Sequence, residues 1–422
     1  MSKAPDRSRK QQLMSLFRKI SGRGIPNPDM KELLINSALR KLSIHASNST
    51  AGYCLIKGLR IMKTLHIFNE LMPSGAEVMM ISAAPYWREA GIDSSVLSTG
   101  DVVGPYSVEL AKAGYNVFHI PFKKSPLFFL SVLRLVASKK IDVIHIHCER
   151  AAFYYAICAF VLRKKTVRTI HSTFAFTGLL AVRRRLQRRI LNMLKCRQVS
   201  ISHSVKETEK RFLCNDTILI PNWFDDKKYR MPDSQERQLA RSFYGIPENS
   251  FVVVSVGNCA PVKNHGAVLR ALAILRDSLD FIYLHVGREE EGHPERKLAF
   301  DLGIEARVRF VGLSNDVVSA LFAADVFVMP SLYEGLGLAA LEAMATGVPA
   351  VLSDVRGLDD LKMIKGVSWS DLTPATIADR ILQTSTLSGK ERSALSISLS
   401  KQTKAIYDVR RSLHAYIDLY NA

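Results

Sequence analysis

This chain of 422 residues is poor in the features that mark exported or membrane-spanning proteins. It has only six cysteines, at 54, 148, 158, 196, 214 and 259, and none of them forms a Cys-x-x-Cys pair. That scatter suggests no zinc site and suits reduced thiols in the cytosol. No run of eighteen apolar residues occurs. The longest candidate, 151–162, is too short to span a bilayer, ends in Arg163-Lys164-Lys165, and reads as a buried helix. The start, MSKAPDRSRKQQLMSLFRK, has neither the apolar centre nor the small-residue cleavage pattern of a signal peptide, which argues against export.

Acidic residues are also few, 39 against 58 lysines and arginines, giving a net charge of +19. The excess is local. Residues 1–61 carry 12 basic side chains against 3 acidic ones, and residues 163–211 carry 14 against 2. Two basic patches point to contact with an anionic surface, and no nucleic-acid partner is expected. The hydrophobic share of 47% over this length is enough for two cores.

Residues 1–61 hold Gly22, Gly24, Pro26 and Pro28 and little apolar pattern, so they read as a mobile basic extension. A first strand begins at Met62. Further strands are expected near Ser95–Leu97, Val117–Ile120, Val143–Ile146, Val167–Ile170 and Gln198–Ser202, with helical patterns between them. Such alternation implies a parallel sheet covered by helices on both faces. The stretch Ile218 to Asp226 suggests a boundary, which divides the chain into a domain at 62–223 and a second at 224–400. The second is built on strands at Phe251–Gly257, Phe281–Val286, Val308–Val311 and Val326–Met329. Residues 401–422 read as a closing helix, with Ile406, Val409, Leu413, Ile417 and Tyr420 at helical spacing.

Ligands of open α/β sheets bind beyond the carboxyl ends of the strands, so polar residues there are candidates. Three first-domain strands end in histidine, at His147, His171 and His203. In the second domain, Gly335 and Gly337 stand at the start of a helical run, Leu338 to Ala345, whose free amides would attract a phosphate. Glu334 precedes that helix and Glu342 follows about two turns into it. They read either as partners of sugar hydroxyls or as a dipole cap and a solvated helix residue. Lys263, in the loop after Gly257, would complete a cradle for a diphosphate. Leu179 to Arg197 is a basic amphipathic helix containing Arg183, Arg184, Arg185, Arg188 and Arg189. It suits an anionic membrane, or else packs its apolar stripe on the core.

These pieces, in this order, resemble the retaining glycosyltransferases of family 4, particularly those of bacterial surface-polysaccharide synthesis. They are Ser-Gly-Ala-Glu at 74–77, His-Ser-Thr at 171–173, Pro-Asn at 221–222, Gly-x5-Lys-Asn-His ending at 265, Phe-Val-Gly at 310–312, and Pro-Ser-x-Tyr-Glu-Gly-x-Gly with Glu342. The resemblance, from Met62 to the C-terminus, implies the GT-B fold: two facing Rossmann-like domains with parallel sheets. It also implies a nucleotide-sugar co-substrate, by expectation a UDP-sugar, with no other cofactor and no metal, and the chain contains no Asp-x-Asp. Carried over in the same way, Lys263 and the amides of Gly335, Leu336 and Gly337 would hold the diphosphate, with Gly75 approaching from the first domain. Glu334 would engage the donor sugar, Glu342 the ribose, Val311 the base, and His171 the transferred sugar.

The same resemblance implies a lipid-linked or glycan acceptor. By their place and pattern His147 and the five arginines are expected on the acceptor or membrane side, with the protein peripheral on the inner membrane face. Two departures stand out, Asn258 where the family has arginine and Ser74-Gly75 where it has Gly-Gly. Lys263 alone then carries the positive charge of that loop unless Arg288 or His265 helps. The alternatives are a non-catalytic scaffold that binds anionic membrane or nucleic acid, and a sugar-nucleotide epimerase.

Overall fold

The parallel β-strands are short and largely buried, because a strand covered by helices on both faces is buried on both; those of the second lobe are mostly apolar, whereas those of the first also bury His66, His145, Arg168 and Gln198. In the computed structural model, which describes residues 61–173, 176–314 and 316–422, Ile61–Ala422 is one compact unit containing two such sheets. The expected basic extension lies, but for its last residue, outside the described residues.

The first lobe begins with β1 (Met62–Phe68), α1 (Gly75–Glu89), β2 (Ile92–Ser98), α2 (Ser107–Lys112) and β3 (Asn116–His119). It continues with α3 (Pro126–Ser138), β4 (Val143–Ile146), α4 (Ala152–Val161), β5 (Lys165–Ile170) and α5 (Gly178–Met193). It closes with β6 (Arg197–Ser200), α6 (His203–Leu213) and β7 (Ile218–Leu219). After α7 (Ser234–Phe243) the second lobe runs through β8 (Phe251–Val256), α8 (His265–Ile274), β9 (Phe281–Val286), α9 (Pro294–Asp301) and β10 (Val308–Gly312). It goes on through α10 (Val317–Ala323), β11 (Val326–Met329), α11 (Leu338–Ala345), β12 (Ala350–Ser353), β13 (Ser368–Ser370) and α12 (Pro374–Ser385).

The sheet orders are β3-β2-β1-β4-β5-β6-β7 and β10-β9-β8-β11-β12-β13, all parallel. Each therefore reverses direction once, between β1 and β4 and between β8 and β11. A crevice opens beyond the carboxyl ends at such a switch point. The expected two Rossmann-like lobes with parallel sheets are thus present. The short strands β12 and β13 were not anticipated.

The tail differs from expectation. It is two helices, α13 (Gly389–Ile406) and α14 (Val409–Asn421), so no separate unit starts at residue 401. The break comes at Tyr407 and Asp408. The Tyr407 hydroxyl donates to the Asp360 carbonyl oxygen at 3.2 Å, and Asp408 caps α14 by accepting from Arg410 N at 2.7 Å. The α13 helix packs on the second lobe, where Ser400 Oγ donates to the Ala345 carbonyl oxygen at 2.7 Å. The α14 helix instead returns to the first lobe. Val409, Leu413, Tyr416 and Tyr420 enter a core with Trp87, Val143, Val167 and Trp223.

The lobes also touch beside the crevice. Asp360 caps α6 by accepting from His203 N at 2.5 Å, and from Ser204 N at 3.0 Å and Ser204 Oγ at 2.8 Å. Ser202 Oγ donates to the Gly335 carbonyl oxygen at 2.8 Å. Because α14 belongs to the first core, Leu413→Ala should lower stability by about 2–5 kcal/mol, read as a lower denaturation midpoint. An unchanged midpoint would refute this packing.

Candidate active site

Two loops of the second lobe, following β8 and β11, are fastened together. Leu332 N donates to the Val262 carbonyl oxygen at 2.8 Å, and Asn264 Nδ2 to the Pro330 carbonyl oxygen at 3.2 Å. This clamp holds Lys263 Nζ 2.6 Å from Glu334 Oε1, which also accepts from Ser331 Oγ at 2.7 Å. An ammonium group has three protons, so this bond leaves two for another acceptor. The structure thereby brings Lys263 and Glu334, 71 residues apart in the chain, into direct contact.

Immediately after Glu334 the backbone must pass close to the first lobe. A Cβ on Gly335 would lie 2.4 Å from the His171 carbonyl oxygen, so only glycine fits. Gly337 precedes α11 in the left-handed region, at φ 74°, and Leu336 between them is buried. A Cβ on Gly75 would lie 3.4 Å from Leu338 Cδ2, so the start of α1 also faces the start of α11. Gly75, His171, Lys263, Glu334 and Gly335–Gly337 are accordingly gathered around one mouth.

Glu342, one side of α11 further on, is buried and hydrogen-bonded by the Tyr229 hydroxyl, and burial pushes its carboxyl up to about 7. Glu77 behaves likewise: it is buried, accepts from Ser74 Oγ, and is raised to about 7 by burial. Burial pushes the nearby Tyr106 hydroxyl up to about 12, and the carboxyls of Glu109, Glu77 and Glu342 add to the shift. Tyr229 and Tyr106 were missed in the sequence. Each is a lone tyrosine in a connecting segment, with no spacing to single it out.

On the first-lobe side, His171 is half-buried and follows β5, while His147 follows β4. His147 was expected to face the acceptor. Instead both of its ring nitrogens are engaged, Nδ1 with His171 Nε2 and Nε2 with His66 Nδ1, each at 3.0 Å. His203 starts α6 at the lobe junction and is exposed.

The arginines divide. Arg183, Arg185 and Arg189 are exposed, whereas Arg188 is buried and Arg184 half-buried. Arg188 binds Glu149 Oε1 at 2.9 Å and Glu209 Oε1 at 3.1 Å, and Arg184 lies 3.4 Å from Glu149 Oε1. Neither is the free surface charge that was expected. The helix is turned over: Gln187, Arg188 and Leu191 face inward while Leu179, Val182, Leu186 and Met193 are 89%, 60%, 58% and 79% exposed. The buried carboxylate of Glu209 and the half-buried one of Glu149 decide this, because an unpaired charge in the interior costs far more than an exposed leucine.

His265 does not make good the missing arginine. It is buried and its pKa is held down to about 3 by burial, so it is uncharged at neutral pH. Asn258 has a structural partner, accepting from Arg288 N at 3.0 Å, and the exposed Arg288 side chain borders the same loop. Val311 is partly buried in β10, which pairs with β9 on the side of the sheet away from β11. The five described cysteines are all free.

The model for Glycosyltransferase Family 4 matches residues 73–228, and that for Glycosyl transferases group 1 matches residues 236–384, together more than half of the chain. The UDP-Gal:alpha-D-GlcNAc-diphosphoundecaprenol alpha-1,3-galactosyltransferase of Escherichia coli is 30% identical over 243 residues. That match covers 54% of this chain and 62% of that protein's length. The N-acetyl-alpha-D-glucosaminyl L-malate synthase of Bacillus anthracis is 29% identical over 267 residues, covering 61% of this chain and 68% of that one. Among solved structures, Anabaena HepE in complex with UDP and glucose superposes with a TM-score of 0.72 at 20% identity, covering 85% of this chain and 98% of that one. At that identity the likeness speaks to the fold.

The buried carboxyl of Glu342 generates a prediction. A carboxyl raised in the folded state stabilises the protein fully below the unfolded value of 4.5, and that contribution is lost as pH rises through about 7. Glu342→Gln should therefore gain in melting temperature relative to wild type as pH rises from 4.5 to 7. The comparison between the two proteins cancels the opposite trend of the buried histidines. A constant difference across that window would contradict burial of the acid.

Proposed function

The chain belongs to the glycosyltransferases of family 4, and we propose that it transfers a sugar, with retention, from a UDP-sugar to a lipid-linked or glycan acceptor. The observation that carries this reading is the Lys263–Glu334 contact of 2.6 Å, set at the mouth of α11 where Gly335 meets His171 of the other lobe. Breaking the bond from the anomeric carbon to a diphosphate leaves negative charge on the phosphate and positive charge on the sugar ring. Lys263 and the amides of Gly335–Gly337 stabilise the first, in place before the charge develops. Glu334, held by Ser331, receives hydroxyls of the donor sugar, and Glu342 with Tyr229 receives those of the ribose. Val311 meets the base and Gly75 lets the first lobe approach the phosphates. Between closed lobes water is excluded, which favours transfer over hydrolysis.

The UDP and lipid assignments draw on the Escherichia coli relative, whose name gives a UDP-sugar donor and a diphosphoundecaprenol acceptor, and on the UDP complex of HepE. The surface supports a lipid acceptor as well. The outward stripe of Leu179, Val182, Leu186 and Met193 on α5, flanked by Arg183, Arg185 and Arg189, lies beside α4, whose Phe160 and Val161 are 57% and 63% exposed. On α3 next to it, Leu127 is 74% exposed. Apolar side chains bordered by guanidinium groups suit the interface of an anionic membrane. No described helix is long and apolar enough to cross one.

Sugar release or transfer from a panel of UDP-sugars tests the site. Lys263→Ala and Glu334→Gln should each lower turnover by about 100-fold or more. Undiminished turnover in both would sink the reading. For the surface, the pair Val182→Ser and Leu186→Ser should weaken cosedimentation with phosphatidylglycerol vesicles about tenfold or more, with turnover on a soluble acceptor unchanged. Equal binding of wild type and variant would remove α5 from the membrane contact.

A further inference from the structure

We propose that His147, backed by His66 and Thr64, is a positioning residue that fixes the tautomer of His171, so that His171 meets a substrate hydroxyl as a hydrogen-bond acceptor. Three adjacent strands of the first sheet, β1, β4 and β5, contribute one histidine each to a single chain of hydrogen bonds. His171 Nε2 lies 3.0 Å from His147 Nδ1, His147 Nε2 lies 3.0 Å from His66 Nδ1, and His66 Nε2 lies 3.4 Å from Thr64 Oγ1. Thr64 Oγ1 in turn donates to Ser94 Oγ at 2.9 Å. The rings are held apart from water: Thr64 and His66 are fully buried, and Phe68 stacks on His147 with centroids 4.4 Å apart. Burial keeps all three imidazoles neutral at pH 7, with His66 lowered to about 3 and His171 to about 4.

A neutral imidazole has one N–H and one bare nitrogen, so a chain of three can be ordered in only two ways. In one, every proton points from the mouth inward. In the other, every proton points outward. The inner end decides between them. Since the Thr64 proton is given to Ser94, Thr64 Oγ1 faces His66 with lone pairs, and the outward order would set the bare Nε2 of His66 against them in a dry interior. That arrangement leaves two acceptors unpaired, which is costly away from water. The inward order satisfies each contact: His66 Nε2–H toward Thr64, His147 Nε2–H toward His66, and His171 Nε2–H toward His147.

Its consequence appears at the mouth. His171 Nδ1 carries a lone pair, and that atom is buried without a protein partner. The carbonyl oxygen of the same residue abuts Gly335, at the mouth of α11. An O–H group brought there donates to Nδ1; a carbonyl or phosphate oxygen has no proton to offer it. The neighbouring His145 takes no part in this order, for its nitrogens are bound to the Tyr420 hydroxyl at 2.6 Å and Thr169 Oγ1 at 2.7 Å.

The inference about substrate rests on the reading of this mouth as the transfer site; the tautomer itself does not. Side-chain nitrogen NMR of the full chain without ligand should show His171 protonated at Nε2 and bare at Nδ1. A proton on Nδ1 would overturn the proposal whether or not any sugar is transferred. In turnover of the UDP-sugar that wild type uses, His147→Leu should lower kcat about tenfold or more while KM for the donor changes less than about threefold. His147→Asn keeps an acceptor oxygen near the place of Nδ1 and should restore most of kcat. Equal defects in the two variants would assign His147 to packing alone. Thr64→Val, remote from the mouth, should mix the His171 tautomers in the same NMR spectrum, and an unmixed spectrum would also overturn the proposal.

Discussion

The contact between the Lys263 ammonium and the Glu334 carboxylate governs the rest of the structure's meaning. It sits where the second sheet reverses strand order, between the loops after β8 and β11, and two hydrogen bonds between those loops bring the side chains within reach of each other. A switch point alone makes a crevice. Here the crevice acquires polarity: a cation with spare protons, a carboxylate, and the amide end of a helix. The first lobe supplies the opposing wall through Gly75 and His171, with glycine at 335 permitting the backbones to meet.

The first sheet solves a different physical problem at its own switch point. Histidines in central strands of a parallel sheet must be hydrogen-bonded or removed. Pairing them with one another, with Thr64 and Thr169, and with tyrosines of α14 satisfies nearly all of their nitrogens. The last helix, which returns to the first lobe, brings Tyr420 to His145 and Tyr416 to Thr169. Tyr416 and Tyr420 close the polar core from one side, and the exception, Nδ1, belongs to His171, whose carbonyl oxygen abuts Gly335. That lone pair is what the proposed role of His171 rests on, as the two unclaimed protons of Lys263 are for the proposed diphosphate cradle.

Much of this was legible in the residues because the signals were local. The alternation of β-strands and helices, the strands Val143–Ile146, Phe281–Val286 and Val326–Met329, and the helix Leu338–Ala345 follow from short apolar runs and punctuation. What failed depended on distant partners. For α5 two readings stood open, and spacing alone could not tell which face turns inward: the ion pairs of Arg188 with Glu149 and Glu209 hold that side inside and leave Leu179, Val182 and Leu186 out. The tail was read as one helix because Ile406, Val409 and Leu413 keep the spacing across a break that Asp408 makes by capping. The tyrosine at 229 and the histidine at 66 gain their importance only from what folding sets beside them.

A structure of the full chain with a bound nucleoside diphosphate tests the central claim most directly. The leaving diphosphate should lie within hydrogen-bond distance of Lys263 Nζ and of the backbone amides between Gly335 and Leu338, with Glu334 beside it. A diphosphate seated elsewhere, with the Lys263–Glu334 pair undisturbed and out of its reach, would contradict the claim.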